Sequence, residues 1–254
     1  MKSLIKPLLG LNTIALIHLV RLQPKRFLRA CNKAFTAANR AASDALVQIP
    51  EIDLGDLLGH REFVMRMSVM PYEDGQLPRE QTTALLFLLM AEAPSVVLEI
   101  GTYMGYTTRQ MAENLSSAII HTVDLPEGGS VERDLDNQFP KDDYHLIARR
   151  VVGRDFKGHP CANRIKQHFA DTADWDFRLA GNPTFFFIDG SHTYEYCKHD
   201  SEKCFELCKG RGAFLWHDCD QAHPGVVRLV SEWRREGRDV RRIAGTPIAY
   251  WKGA

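Results

Sequence analysis

Residues 184–196 read Thr184-Phe185-Phe186-Phe187-Ile188-Asp189-Gly190-Ser191-His192-Thr193-Tyr194-Glu195-Tyr196. Four consecutive apolar residues suit a short strand buried on both faces, as the strands of parallel sheets are. The run stops at Asp189 and Gly190, and His192 follows. A carboxylate and an imidazole three residues apart therefore sit where a central strand ends and a loop begins. In open α/β sheets that carboxyl end is where ligands bind.

The pattern repeats on both sides of this stretch. Val96–Ile100 is a short apolar run ending in Glu99-Ile100-Gly101, and residues 107–115 read as the helix after it, with Thr107 or Thr108 near its cap. Residues 118–123 form a second strand ending at Asp124, and residues 164–169 a third ending near Asp171. Residues 194–208 are helical and stop at Lys209-Gly210-Arg211-Gly212. Residues 213–216 form another strand, ending at His217-Asp218, and 226–236 another helix, closed by Gly237. Residues 240–244 and 248–251, split by Gly245-Thr246-Pro247, read as a terminal hairpin. Strands alternating with helices predict an α/β fold with a mostly parallel sheet. Acids recur at the strand ends: Glu99, Asp124, Asp171, Asp189 and Asp218. Any one of them taken singly reads more readily as a helix cap or a solvated loop carboxylate. Five at one edge of one sheet point to a site.

The first loop, Glu99-Ile100-Gly101-Thr102-Tyr103-Met104-Gly105-Tyr106-Thr107, carries two glycines four apart. They let the backbone turn sharply and approach a ligand, and the helix N-terminus behind them offers free amides. The dinucleotide fingerprint is absent, because the middle spacing is wrong and the third glycine is missing. Asp124, about twenty residues on, suits the two hydroxyls of a ribose.

These residues carry a resemblance. Residues 96–110 look like motif I of class I S-adenosylmethionine-dependent methyltransferases, in the form found in catechol-type, metal-dependent O-methyltransferases. Residues 184–230 resemble the macrolide-sugar O-methyltransferases, through Ile188 to Tyr194, Trp216-His217-Asp218 and Pro224-Gly225-Val226. The similarity spans roughly residues 70–252. It implies a Rossmann-like fold with a seven-stranded, mostly parallel sheet, an antiparallel terminal strand and helices on both faces. It also implies that Glu99, Gly101 and Thr107 hold the methionine end of S-adenosylmethionine, and Tyr103 and Gly105 of the same loop are read as cofactor-binding. Asp124 would take the ribose hydroxyls, Asp171 and Thr172 would lie against the adenine, and Asp189 would border both cofactor and acceptor. Asp189, His217 and Asp218 match the ligands of a divalent metal, and His192 the catalytic base. His217 stands where relatives often carry a carboxylate. A nitrogen ligand suits Mn²⁺ or another transition ion better than Mg²⁺.

Three functions follow as expectations. The first is methyl transfer to a hydroxyl of a sugar, a glycosylated small molecule or a glycan. The second keeps the fold but makes His192, His217 and Asp218 a two-histidine, one-carboxylate iron site for an oxygenase. The third is a binding protein on a retired methyltransferase fold.

Composition bounds the setting. Lys plus Arg and Asp plus Glu are equal at 32 each, which gives no electrostatic case for nucleic acid as a partner. The six cysteines form no CxxC pair and read as reduced packing residues of a cytoplasmic protein. Residues 1–60 read as a helical extension and 61–254 as the catalytic domain, with a cap-like insertion at 125–163 rich in glycine, proline and charge. Residues 1–30 contain basic but no acidic side chains, and their apolar stretch is too short and too polar to span a membrane. Two readings stay open for them. They form an arm packing on the domain or on a second copy in a homo-oligomer, or an amphipathic segment lying on an anionic membrane surface.

Overall fold

The strand that opens the sequence argument is at the centre of the sheet. In the computed structural model, which describes residues 41, 44–46, 48–127 and 150–253, Phe185–Ile188 has all four residues buried. Its side chains alternate between two cores. Phe186 and Ile188 join one apolar cluster, Phe185 and Phe187 the other. The neighbouring strands repeat the split, with Leu98 and Ile100 on the first face and Val97 on the second. Burial on both faces explains why these strands read as unbroken apolar runs rather than alternating ones.

In chain order the strands are β1 (Glu51–Ile52), β2 (Val96–Ile100), β3 (Ile119–Asp124), β4 (Ile165–Phe169), β5 (Phe185–Ile188), β6 (Ala213–Trp216), β7 (Arg241–Ile243) and β8 (Ala249–Lys252). They form one sheet in the order β1-β7-β8-β6-β5-β2-β3-β4. β8 runs antiparallel to β6 and β7, and the remaining pairs are parallel. The helices are α1 (Leu54–Leu58), α2 (Arg79–Glu92), α3 (Tyr106–Asn114), α4 (Tyr194–Cys208) and α5 (Pro224–Arg235). α2 and α3 cover one face through Leu85, Leu86, Leu88, Leu89, Met111 and Ala112. α4 and α5 cover the other through Cys197, Cys204, Val226, Val227, Leu229, Val230 and Trp233. Fully burying a side chain of this size contributes about 1.5–3 kcal/mol, so the α5 face alone fixes that helix firmly.

The sheet has eight strands where seven were expected. The extra one is β1, two residues after Pro50 in the segment read as a helical extension. It is too short to show any periodicity, and it forms because Arg242 and Ala244 donate backbone hydrogen bonds to Pro50 and Ile52. Leu46 and Ile49 pack into the core beside it. Helix α3 starts one residue before the expected position. Gly105, with φ of 89°, is its N-cap, and no side chain caps it. The expected terminal hairpin is β7–β8. The described cysteines 161, 197, 204, 208 and 219 are free thiols. Among the described residues no helix is long and apolar enough to cross a membrane. The basic segment 1–30 lies outside the described residues, as do residues 128–149 of the insertion. Within its described part, residues 150–157 fold back on the glycine loop, with Gly153 and Asp155 donating backbone bonds to Tyr103 and Met104.

Strand order reverses between β2 and β5. From β2 the chain steps outward to β3 and β4, and from β5 to β6 on the opposite side. Crevices at such switch points, beyond the carboxyl ends of the strands, hold ligands.

Candidate active site

A cavity of about 440 Å³ opens at that switch point. Its walls come from the loops after β2, β3, β4, β5 and β6, from residues 75–78 ahead of α2 and from Gln81 in the first turn of α2. On one side stands the glycine loop. Gly101 continues the sheet ladder by donating to the Val123 carbonyl, and its φ is 95°. A Cβ on Gly101 would lie 2.1 Å from the Asp189 carbonyl oxygen, so the two loops touch backbone to backbone. Asp124 holds this loop in shape. Its Oδ2 accepts the backbone N–H groups of Thr102 at 3.1 Å and Tyr103 at 2.7 Å. Its Oδ1 accepts from Leu125 N–H and from the Arg150 guanidinium at 2.6 Å. Burial pushes the Asp124 carboxyl up, against the opposing effects of Arg150 and these backbone bonds.

Asp171 and Thr172 form the next wall, both buried. Asp171 accepts the Tyr196 hydroxyl on both oxygens, at 3.0 and 2.9 Å. Burial and then the Asp171 carboxylate push the Tyr196 phenol well up, so it stays a donor.

The opposite side is built by the ends of β5 and β6. Asp189 N–H donates to Ile100 O and His217 N–H to Ile188 O, which extends the ladder into the site and sets Asp189 beside His217. His217 Nδ1 lies 2.9 Å from Asp189 Oδ1 and 3.2 Å from Asp218 Oδ2, and Nε2 lies 2.7 Å from Gln81 Oε1. His192 Nε2 is 2.8 Å from Asp218 Oδ2. Asp218 has φ of 56°, a left-handed conformation that bends the chain so its carboxylate meets both imidazoles. Burial acts to lower the His217 pKa, but the charges and hydrogen bonds of Asp189 and Asp218 win and raise it to about 10. Burial alone would raise Asp218. Hydrogen bonds from His192 and His217, and their charges, instead hold it well below the usual carboxylate range.

The loop bearing His192 is braced from behind. A Cβ on Gly225, in the first turn of α5, would lie 2.3 Å from the His192 carbonyl oxygen. Only glycine lets α5 approach so closely.

Residues 98–219 match a family model described as a methyltransferase domain. Residues 98–219 thus carry a methyltransferase domain. No curated protein sequence matches the chain. Among solved structures it resembles the SAH-bound methyltransferase PaMTH1 of Podospora anserina, at 16% identity and a TM-score of 0.52, covering 86% of this chain and 96% of that one. It also resembles an O-methyltransferase from Bacillus cereus in complex with SAH, at 17% identity and a TM-score of 0.50, over 71% of this chain and 84% of that one. A third is the O-methyltransferase TomG of Streptomyces achromogenes, involved in Tomaymycin synthesis and solved with SAM, at 14% identity and a TM-score of 0.50, over 71% and 83% of the two chains. At these identities the likeness is one of fold.

Most of the residues expected to serve this methyltransferase line its cavity: Gly101, Tyr103, Thr107, Asp124, Asp171, Thr172, Asp189, His192, His217 and Asp218. Glu99 and Gly105 do not. Glu99 lies behind the wall, fully buried, and its Oε2 accepts the hydroxyls of Thr108 and Thr122. The physical reason is the pleat. Glu99 shares the Val97 face of β2, beneath α3. Its position ties β2, β3 and α3 together rather than meeting a ligand. Gly105 is covered by Phe156, whose ring a Cβ would meet at 2.6 Å.

The lining residues that carried no functional expectation include Gln81, Arg150, Tyr196 and His223. Tyr196 belongs to the first turn of α4, directly after the central motif, and its place there was the one available signal. Arg150 comes from the insertion, where composition carries no code.

Glu99 gives the methyltransferase a pH signature. Burial raises its pKa to about 8, partly offset by the two threonine hydroxyls. The folded value lies above the unfolded one, so stability is fullest below about pH 4.5, falls as pH rises toward 8 and levels off beyond. Glu99→Gln keeps an acceptor for both hydroxyls and cannot ionise. Thermal melts from pH 5 to 9 should show a wild-type decline on the order of a few kcal/mol that is absent in the variant. Parallel curves for the two proteins would show that Glu99 does not titrate in this range.

Proposed function

We propose that the enzyme transfers the methyl group of S-adenosylmethionine to a hydroxyl oxygen of a sugar, a glycosylated small molecule or a glycan, with His192 as base. The single observation that carries this reading is the convergence of Asp189, His192, His217 and Asp218 opposite the glycine loop of one cavity. The donor set also fits a divalent ion. One oxygen from Asp189, one from Asp218 and a nitrogen of His217 lie within 4.8 Å of one another. Their 2.9 and 3.2 Å separations bracket the edge of about 3.0 Å that octahedral bonds near 2.1 Å produce. The nitrogen favours Mn²⁺ over Mg²⁺. When bound, such an ion supplies Lewis acidity that lowers the pKa of an acceptor hydroxyl. Asp189, Asp218 and the neutral form of His217 would hold such an ion.

The remaining chemistry belongs to the chain. The glycine loop, fixed by Asp124, places the sulfonium, and the wall at Asp171 and Thr172 closes its far end. The acceptor oxygen attacks the methyl carbon in line. The carbon–sulfur bond breaks, its electron pair stays on sulfur, and the hydroxyl proton passes to His192. Asp218, 2.8 Å from His192 Nε2, stabilises the resulting imidazolium. The protein's main work is positioning and exclusion of water.

Calorimetry with S-adenosylmethionine tests the cofactor side, and absence of binding at millimolar concentration would defeat the reading. His192→Ala should lower kcat by about 10²-fold or more against a glycoside that wild type methylates, with SAH affinity essentially unchanged. Equal turnover by the two proteins would remove His192 from the mechanism.

A further inference from the structure

We infer that His192, Asp218 and His223 form a second metal-binding set, selective for a transition ion such as Zn²⁺ or Co²⁺. The set shares Asp218 with the acceptor-side donors but uses none of the others. One nitrogen from each histidine and one Asp218 oxygen lie within 4.8 Å of one another. His192 Nε2 is 2.8 Å from Asp218 Oδ2, and His223 Nδ1 is 3.7 Å from Asp218 Oδ1. The two histidines approach different oxygens of one carboxylate, so Asp218 lies between them. The two imidazole rings face the same space, with centroids 4.5 Å apart.

Three features place these donors for a ligand rather than for packing alone. All three line the cavity and keep partial access, with side-chain exposures of 21% for His192, 16% for Asp218 and 23% for His223. His223 is held at the start of α5 by Asp220, whose Oδ1 is 2.9 Å from His223 Nδ1. His192 is held by the contact of its backbone with Gly225. Both histidines are thus positioned by α5, at its N-cap and through its first turn.

The chemistry of the set sets its preference. Two nitrogens and one carboxylate favour Zn²⁺ or Co²⁺ over Mg²⁺, the hard ion that oxygen-rich sets select. The bound ion takes the lone pair of His192 Nε2, so ion binding here and proton uptake by His192 exclude each other. That consequence rests on the reading of His192 as base. The site itself does not.

Co²⁺ titration of the full chain tests the site without measuring methyl transfer. Wild type should develop the intense visible absorption of a low-coordinate nitrogen-bound ion, displaced by Zn²⁺. His223→Gln should lose that band and weaken Zn²⁺ binding by at least about tenfold, since removing even a group that only supports a ligand costs that much. Asp189→Asn should keep both. Calorimetry with SAH reports that each variant retains its cavity. The inference is overturned if His223→Gln binds Co²⁺ and Zn²⁺ as wild type does. It is equally overturned if Asp189→Asn is the variant that loses the band, which would place the ion on the acceptor-side donors instead.

Discussion

Gly101→Ala should all but abolish cofactor binding. The Cβ would stand 2.1 Å from the Asp189 carbonyl, and the backbone there, at φ of 95°, is one that alanine adopts only under strain. Neither strand can yield easily, because Asp189 N–H is bonded to Ile100 O and Gly101 N–H to Val123 O. The loop must therefore move as a unit, away from Asp124 or from Asp189. A displacement on the order of 1 Å at a positioning element costs about 10²-fold. Calorimetric titration with SAH should show a Kd raised by roughly that factor, and the melting temperature should fall by several degrees. A variant that binds SAH like wild type would mean that the contact between the two loops relaxes without consequence for the cavity.

Asp218→Asn should have the largest effect on turnover. Asp218 touches both His192 and His217, and its left-handed backbone suits asparagine as well as aspartate. The substitution therefore keeps the shape and removes the charge. His192 loses the carboxylate that stabilises its protonated form, and His217 loses one of its two counter-charges. A fall in kcat of about 10³–10⁴-fold follows from the size of such effects in other acid–base sites. SAH affinity should change by less than about threefold, because Asp218 is across the cavity from the glycine loop. A loss in KM with kcat preserved would assign Asp218 to acceptor binding rather than to the chemical step.

The parts legible in the sequence are those encoded within a few residues of one another. Phe185 to His192 carries its own strand, its own turn and two of its functional groups. Glu99 to Thr107 and Trp216 to Asp218 do the same for the neighbouring strand ends. Reading each as strand, then acid, then loop recovers the sheet and most of the cavity wall. What the sequence leaves unread has equally local causes. The resemblance assigns Glu99 to the methionine end of the cofactor. The pleat that puts it on the same face as Val97 directs it under α3 instead. Gln81 meets His217 across 136 residues of chain, and no spacing rule reaches that far. Arg150 arrives at Asp124 from the insertion, 26 residues on, with no periodic context to announce it. His223 resembles an ordinary helix-cap residue until α5 is seen to press against the His192 loop.

The two-residue strand β1 bears on how the molecule avoids its own kind. Without it, β7 would present a bare row of amides and carbonyls, the template on which sheets of separate chains join. Glu51–Ile52 occupies that row, and Glu51 is ion-paired with Arg242 across the pair. Among the described residues, this edge of the sheet is thereby only two residues long, with a charged residue and a preceding proline beside it, while the five-residue β4 forms the other edge. A strand as short as β1 offers an incoming chain almost nothing to extend.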